Sequence, residues 1–207
     1  MMLEVLTGTG LAASAGLNAY IPLLTLGLLA RYSDVVDLPG SWQWLGNGWV
    51  LGILAVLLAV EVVADKVPVV DHVNDVVQTV VRPTAGGLVF GAGSASETVT
   101  VSDPDSFFSS TGQWAPVIVG VLIALGVHLL KSAARPVVNA STGGVGAPVA
   151  STAEDAASVL MSLVAIVLPV LVLAFLVVLP FFLGWFFRRR AQRRRERRAA
   201  REAGFRV

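Results

Sequence analysis

The chain has 207 residues, of which 55% are hydrophobic and 14% charged, against about 25% charged in an ordinary soluble domain. With a mean hydropathy of +0.76, it lacks the residues to make a polar surface, and a lipid bilayer is the solvent that fits it. The net charge of +1 hides an asymmetry: residues 188–207 hold ten Arg against Glu196 and Glu202, while residues 1–187 hold five basic against twelve acidic residues.

The absence of Cys excludes a disulfide framework, thiolate metal sites and Cys nucleophiles. The preference for Arg over Lys, with abundant Ala, Gly and Val, points to a bacterial chain. The N-terminal segment has Glu4 where a signal peptide carries positive charge, so it is expected to be retained.

Segment one runs from Leu3 to Ala30, small and polar at first, leucine-rich after Pro22. A break is expected near Asn18–Pro22, because proline cannot complete the hydrogen-bond ladder. Residues 31–48 read as a loop. Trp42, Trp44 and Trp49 then mark the entry of segment two, which ends at Glu61, Asp65 and Lys66. Residues 68–81 place valines on one face and Asp71, Asn74, Asp75 and Gln78 on the other, an amphipathic helix that Arg82-Pro83 is expected to end. The small, apolar run 84–96 reads as a short or re-entrant glycine-rich element, about 20 Å long if helical. A polar loop, 97–113, follows.

Segment three, 114–134, carries His128 and Lys131 late. Residues 135–150 read as a loop, and Ser151-Thr152-Ala153-Glu154 as a capping box that opens the next helix. The apolar run 156–187 would be about 48 Å long as one helix, too long for an upright span. A hairpin bent near Pro169 is expected.

The fold class that follows is all-α: a polytopic transmembrane bundle with four to six crossings, occupying residues 1–187. The remaining residues, 188–207, form an Arg-rich cytoplasmic tail. Positive charge favours the inner side. This orients the C-terminus inward, together with the Lys66/Arg82 and Lys131/Arg135 groups, and the N-terminus is expected on the same side. Arg188, Arg189, Arg190, Arg193, Arg194 and Arg195 directly follow Trp185-Phe186-Phe187, the arrangement of a juxtamembrane segment facing anionic lipid headgroups rather than nucleic acid.

Glu61 and Asp65 stand four apart, as do Asp71 and Asp75. Like charges at that spacing repel unless bases, cations or protons compensate them. Ionisable groups at membrane depth are costly and point to function. Glu61, Asp65, Asp71 and Asp75 are therefore the candidate cation or proton site. His128, Lys131 and Arg135 share one helix face, and with Asn18, Lys66, Glu154 and Asp155 they are the candidate pairing or cavity residues. Asp65 is expected to pair with a lysine, leaving Asp71 or Asp75 as the free ligand. The alternative is a polar network that only fixes helix register.

Gly87-x-x-x-Gly91 fits close helix packing. No nucleophile–base arrangement, metalloprotease spacing or phosphate loop is present, so no catalytic residue, metal or cofactor is assigned. Asn139-Ala-Ser141 matches a glycosylation sequon, and Gly8-Thr-Gly10 mimics a dinucleotide fingerprint with no strand before it.

Three stretches together resemble the domain-of-unknown-function family 4126, bacterial multi-pass membrane proteins. They are Gly10-Leu-x-x-Ser14-Ala-Gly16-Leu-Asn18-Ala-Tyr20-x-Pro22, Glu61-x-x-Ala64-Asp65-Lys66-x-Pro68-x-x-Asp71 and Arg82-Pro83-x-x-Gly86. His128-x-x-Lys131, Asn139-Ala-Ser141 and Glu154-Asp155 add to the likeness, which covers about residues 3–187. The resemblance implies a bacterial inner-membrane location and supplies no activity. The functional expectation is a small transporter or channel for a small cation or proton. The alternatives are a non-catalytic scaffold or lipid-interacting protein, and an intramembrane enzyme acting on lipid.

Overall fold

A computed structural model describes residues 2–66, 68–102, 114–142 and 146–175, with the side chains of 68–73, 136–142 and 147 outside the description. Residues up to Val172 belong to one compact unit, and a second begins at Leu173. The elements are α1 (Met2–Leu17), α2 (Tyr20–Tyr32), β1 (Val36–Asp37), a 3-10 turn (Gln43–Gly46), α3 (Gly48–Ala64), α4 (Pro68–Ser94), β2 (Glu97–Thr98), α5 (Trp114–Thr142) and α6 (Gly146–Val167).

The central element is α1, which packs on α4, α5 and α6. Its small residues allow this. A methyl added at Gly10 would lie 2.6 Å from Ala165 Cβ of α6, and one at Gly16 would lie 2.6 Å from Val127 Cβ of α5. The same logic joins α4 to α5, where Gly86 and Gly120 bring backbone against backbone. The expected packing motif is real: Gly87 faces the Val117 carbonyl, and Gly91 faces the Trp42 indole. Small residues at these positions let the helix backbones approach closely and pack.

The expected break in segment one is present, and its cause is visible. Asn18 Oδ1 accepts from the backbone N–H groups of Tyr20 and Ile21, capping α2. Pro22 then sits in the first turn, where its missing N–H costs nothing. The break is also a reversal. Gly27 of α2 meets Leu45 and Leu51, near the start of α3, while the far end of α3 carries Glu61 to Arg82 beside the α1–α2 turn. Thr7 and Leu11 of α1 face Gly93 near the end of α4. The first residues of α1 therefore lie at the end of the bundle opposite Lys66, Arg82 and Lys131. This corrects the expectation that the N-terminus shares their side.

Three boundaries differ from expectation. The amphipathic helix and the glycine-rich element are one helix, α4, which runs through Pro83. Proline removes a single ladder bond. Arg82, held by Glu61, and the glycines pressed on α5 fix the chain on both sides of it. Likewise α5 continues through Pro136 to Thr142. Helix α6 starts at Gly146 rather than at a capping box, because Glu154 turns to Lys131 instead of its own backbone. Two short strands were not expected: β1 pairs antiparallel with β2, Val36 opposite Thr98. After α6 the helix breaks at Leu168-Pro169, as the proline requires, and resumes at Val170. Ala165 and Val172 both approach the Gly10 position, a bend at this break.

The polarity of the bundle is inverted. Arg82, Glu61, Asp65, His128, Lys131 and Arg135 are buried, while Trp49, Val63, Val80, Trp114 and Val149 are each more than half exposed. Trp49 and Trp114 open α3 and α5 at the end away from the buried charges.

Candidate functional site

The buried charges converge from four helices on one end of the bundle. Helix α3 brings Glu61 and, at its C-cap, Asp65. Because they lie one turn apart on the same face, one base can serve both. Arg82 Nη2 of α4 stands 2.8 Å from Glu61 Oε1 and 3.6 Å from Asp65 Oδ2. Helix α5 presents Lys131 and Arg135, four apart, to the other side of Asp65, at 3.5 and 3.2 Å. Asn74 Nδ2 of α4 donates to Asp65 Oδ1 at 2.7 Å. Asp65 is thus the hub, shared by three bases.

Glu154 of α6 completes the ring, 2.8 Å from Lys131 and 3.5 Å from Arg135. Asp75 lies 3.6 Å from Arg135 Nη1. Glu154 and Asp75 keep about a fifth of their side-chain surface open, whereas Glu61 and Asp65 keep almost none. Among the described ion pairs, four carboxylates (Glu61, Asp65, Asp75, Glu154) meet three bases (Arg82, Lys131, Arg135), leaving one negative charge in excess.

His128 extends the network. Arg82 Nη1 lies 3.4 Å from His128 Nδ1, and a guanidinium can only donate, so Nδ1 accepts. His128 Nε2 then carries the hydrogen and donates to Thr79 Oγ1 at 3.1 Å. Lys131 Nζ also donates to the Leu17 carbonyl, tying α5 to the end of α1. Asn18 donates to Asp155 Oδ1 at 2.9 Å, so the amide that caps α2 also holds α6.

The sequence-predicted residues divide clearly. Glu61, Asp65, Asp75, His128, Lys131, Arg135 and Glu154 are brought together, with Asn18 and Asp155 beside them. Lys66 turns away and donates to the Val62 carbonyl of its own helix. Asp71 lies on α4, but its side chain is outside the described residues, as is the whole Arg-rich tail with Arg188, Arg189, Arg190, Arg193, Arg194 and Arg195. Sequence reasoning undervalued Arg82, the most enclosed base, and passed over Gln78 and Tyr20. Gln78 stands one turn before Arg82 on α4, and Tyr20 faces Glu61, Gln78 and Arg82. The spacing Gln78-x-x-x-Arg82 was the available signal.

Several of these groups are incompletely bonded, Asp75 Oδ1 and Arg82 Nε among them. Glu61 Oε2 and Gln78 Oε1 are buried oxygens without a hydrogen-bond partner, and both residues are at least 97% buried. Such groups are exceptional in folded proteins. No cluster of three His, Cys, Asp or Glu residues arranged for a metal ion occurs among the described residues.

A second polar lock lies one turn deeper. Ser14 Oγ is 2.7 Å from both Ser158 Oγ and Ser162 Oγ, and 2.8 Å from the Ser158 carbonyl. These three hydroxyls are all bonded, joining α1 to α6.

Fold and site together define a helical bundle with charges inside and aliphatic side chains outside. Among the described residues, two stretches, Trp114–Arg135 and Pro148–Val167, are long and apolar enough to cross a membrane. The chain belongs to the family described as Domain of unknown function (DUF4126), whose model matches residues 5–189. Comparison with curated proteins and with solved structures returned no match.

Proposed function

We propose that this chain is a multi-pass inner-membrane protein that carries protons or a small cation through the charged end of its bundle. The observation that supports this most directly is the excess of acid among the described ion pairs, four carboxylates against three bases inside an apolar jacket. A purely structural network in lipid would be expected to balance, since each uncompensated charge at depth costs several kcal/mol. The reversal at Asn18 supports the same reading. It brings a helix break and two helix ends to the acids, the arrangement through which transporters expose backbone to their cargo.

Lys66, Arg82, Lys131 and Arg135 cluster at one end, while Glu4, Asp34, Asp37 and Glu97 belong to elements of the other. This favours a cytoplasmic orientation for the charged end. The Arg-rich tail binds anionic lipid headgroups, each Arg contributing about 1 kcal/mol near such a surface.

The test is reconstitution of the full-length protein into liposomes with an enclosed pH-sensitive dye. A pH gradient, with and without an opposing sodium or potassium gradient, should collapse faster than in empty liposomes. A scaffold reading is favoured by one observation: each of the three bases of the network already has at least one acid within 3.2 Å. Gradients that decay as in empty liposomes would establish that reading instead.

A further inference from the structure

We propose that Glu61 is the proton-binding group of this network, with its proton carried on Oε2 and donated toward the Gln78 side-chain oxygen. The inference rests on the proton reading above and gives it a residue.

Among the described ion pairs the acids outnumber the bases, and the partners of each acid say which one takes a proton. Asp65 is already shared by Arg82, Lys131 and Arg135 and receives Asn74. Glu154 has Lys131 and Arg135. Asp75 has Arg135; its Oδ1 is also bare, but its side chain as a whole is partly open, where Glu61 is sealed. Glu61 has one base, Arg82, and that base occupies Oε1. Its second oxygen is buried and bare. A carboxylate oxygen sealed from water and bonded to nothing is the costliest place in the cluster to leave a negative charge.

The neighbours of Glu61 complete the case. From α2 Tyr20 approaches it, from α4 Arg82, from α5 Lys131, and on its own element Asp65; Gln78, one turn before Arg82 on α4, meets Tyr20. Among these, Gln78 Oε1 is a buried acceptor with no donor. A proton on Glu61 Oε2 is a donor that this bare acceptor, one turn from Arg82, can take. Protonated Glu61 still accepts from Arg82 through Oε1. Arg82 then keeps Asp65, and the described ion pairs balance at three against three. A metal ion fits less well, because Arg82 stands 2.8 Å from the same carboxyl group and its positive charge opposes a second cation.

The experiment is infrared difference spectroscopy on the full chain in lipid nanodiscs, read at the protonated-carboxyl C=O band and identified by its shift in heavy water. Wild type should show one such buried band that disappears as the pH is raised. Glu61→Gln, which keeps the shape and hydrogen bonds of the protonated acid, should fold with undiminished melting temperature and lack the band. Gln78→Leu should keep the band but move it to higher frequency, because the proton loses its acceptor. Asp155→Asn, outside the ion pairs, should leave it unchanged. A band that survives in Glu61→Gln, or no band in wild type at any pH, overturns the proposal; a band unmoved in Gln78→Leu overturns the role of Gln78. Liposome flux is independent of this result. Failure of flux with the band intact removes the transport reading alone, and flux without the band assigns the proton to another group.

Discussion

Replacing Asp65 by Asn tests the hub of the network. The substitution keeps the shape of the side chain, and the new amide oxygen can still accept from Asn74. It removes the charge that Arg135, Lys131 and Arg82 share at 3.2, 3.5 and 3.6 Å. Breaking a buried ion pair costs about 3–5 kcal/mol. Here each base retains a second acid: Arg82 keeps Glu61, Lys131 keeps Glu154, and Arg135 keeps Asp75 and Glu154. The loss should therefore fall at the low end, about 3 kcal/mol. For a chain of this size each kcal/mol shifts the melting temperature by about 2–4 °C, giving a fall of about 6–12 °C. Unfolding in detergent, followed by the five Trp residues, reads it. Arg135→Gln should couple with it, the double variant losing about 0.5–3 kcal/mol less than the sum of the singles. The substitution also leaves three acids against three bases, so Glu61 should give up its proton and its infrared band should vanish. A melting temperature within about 1 °C of wild type, with additive double-variant behaviour, would refute the hub.

Other outcomes follow from the same contacts. Asn18→Ala removes the cap of α2 and the bond to Asp155, and should lower stability by about 1–2 kcal/mol in the same melting assay. Ser14→Ala strands the Ser158 and Ser162 hydroxyls between α1 and α6, with an expected loss of about 0.6–1.7 kcal/mol. Gly120→Val would drive a side chain into Phe90 Cβ at 2.5 Å and into the Gly86 backbone, which cannot yield. The helices must part, with a loss of at least about 1–3 kcal/mol and reduced accumulation in the membrane. Because the chain has no Cys, single cysteines at positions 2 and 40 can be labelled cleanly. Both should react with an impermeant reagent from the same side, and reaction from opposite sides would refute the reversal at Asn18.

Composition and periodicity alone determined much of this protein. A chain with 14% charge and long apolar runs cannot coat itself with polar surface, so helices that expose aliphatic side chains follow whatever the tertiary arrangement. The break at Asn18–Pro22 and the start of α3 after its tryptophans were legible, because caps and prolines act within one turn of themselves. The acids and the 128–131–135 face were legible as a set, because helical spacing decides which residues share a face. Local signals failed where distant contacts outweighed them. Pro83 and Pro136 read as helix ends, yet each removes only one backbone bond, and in α4 the glycine contacts with α5 outweigh that loss. Ser151 to Glu154 read as a cap, yet Glu154 gains more from Lys131 across the bundle. The direction of α2 and the pairing of each charge depended on packing alone. One Arg on α4 lies between two acids on α3, and only the folded chain places Arg82 against Oε1 of Glu61 while leaving its second oxygen bare. Spacing along a helix sets which face a charge shares, but the atom it meets is set by how closely two helices approach, and that is a property of the whole bundle.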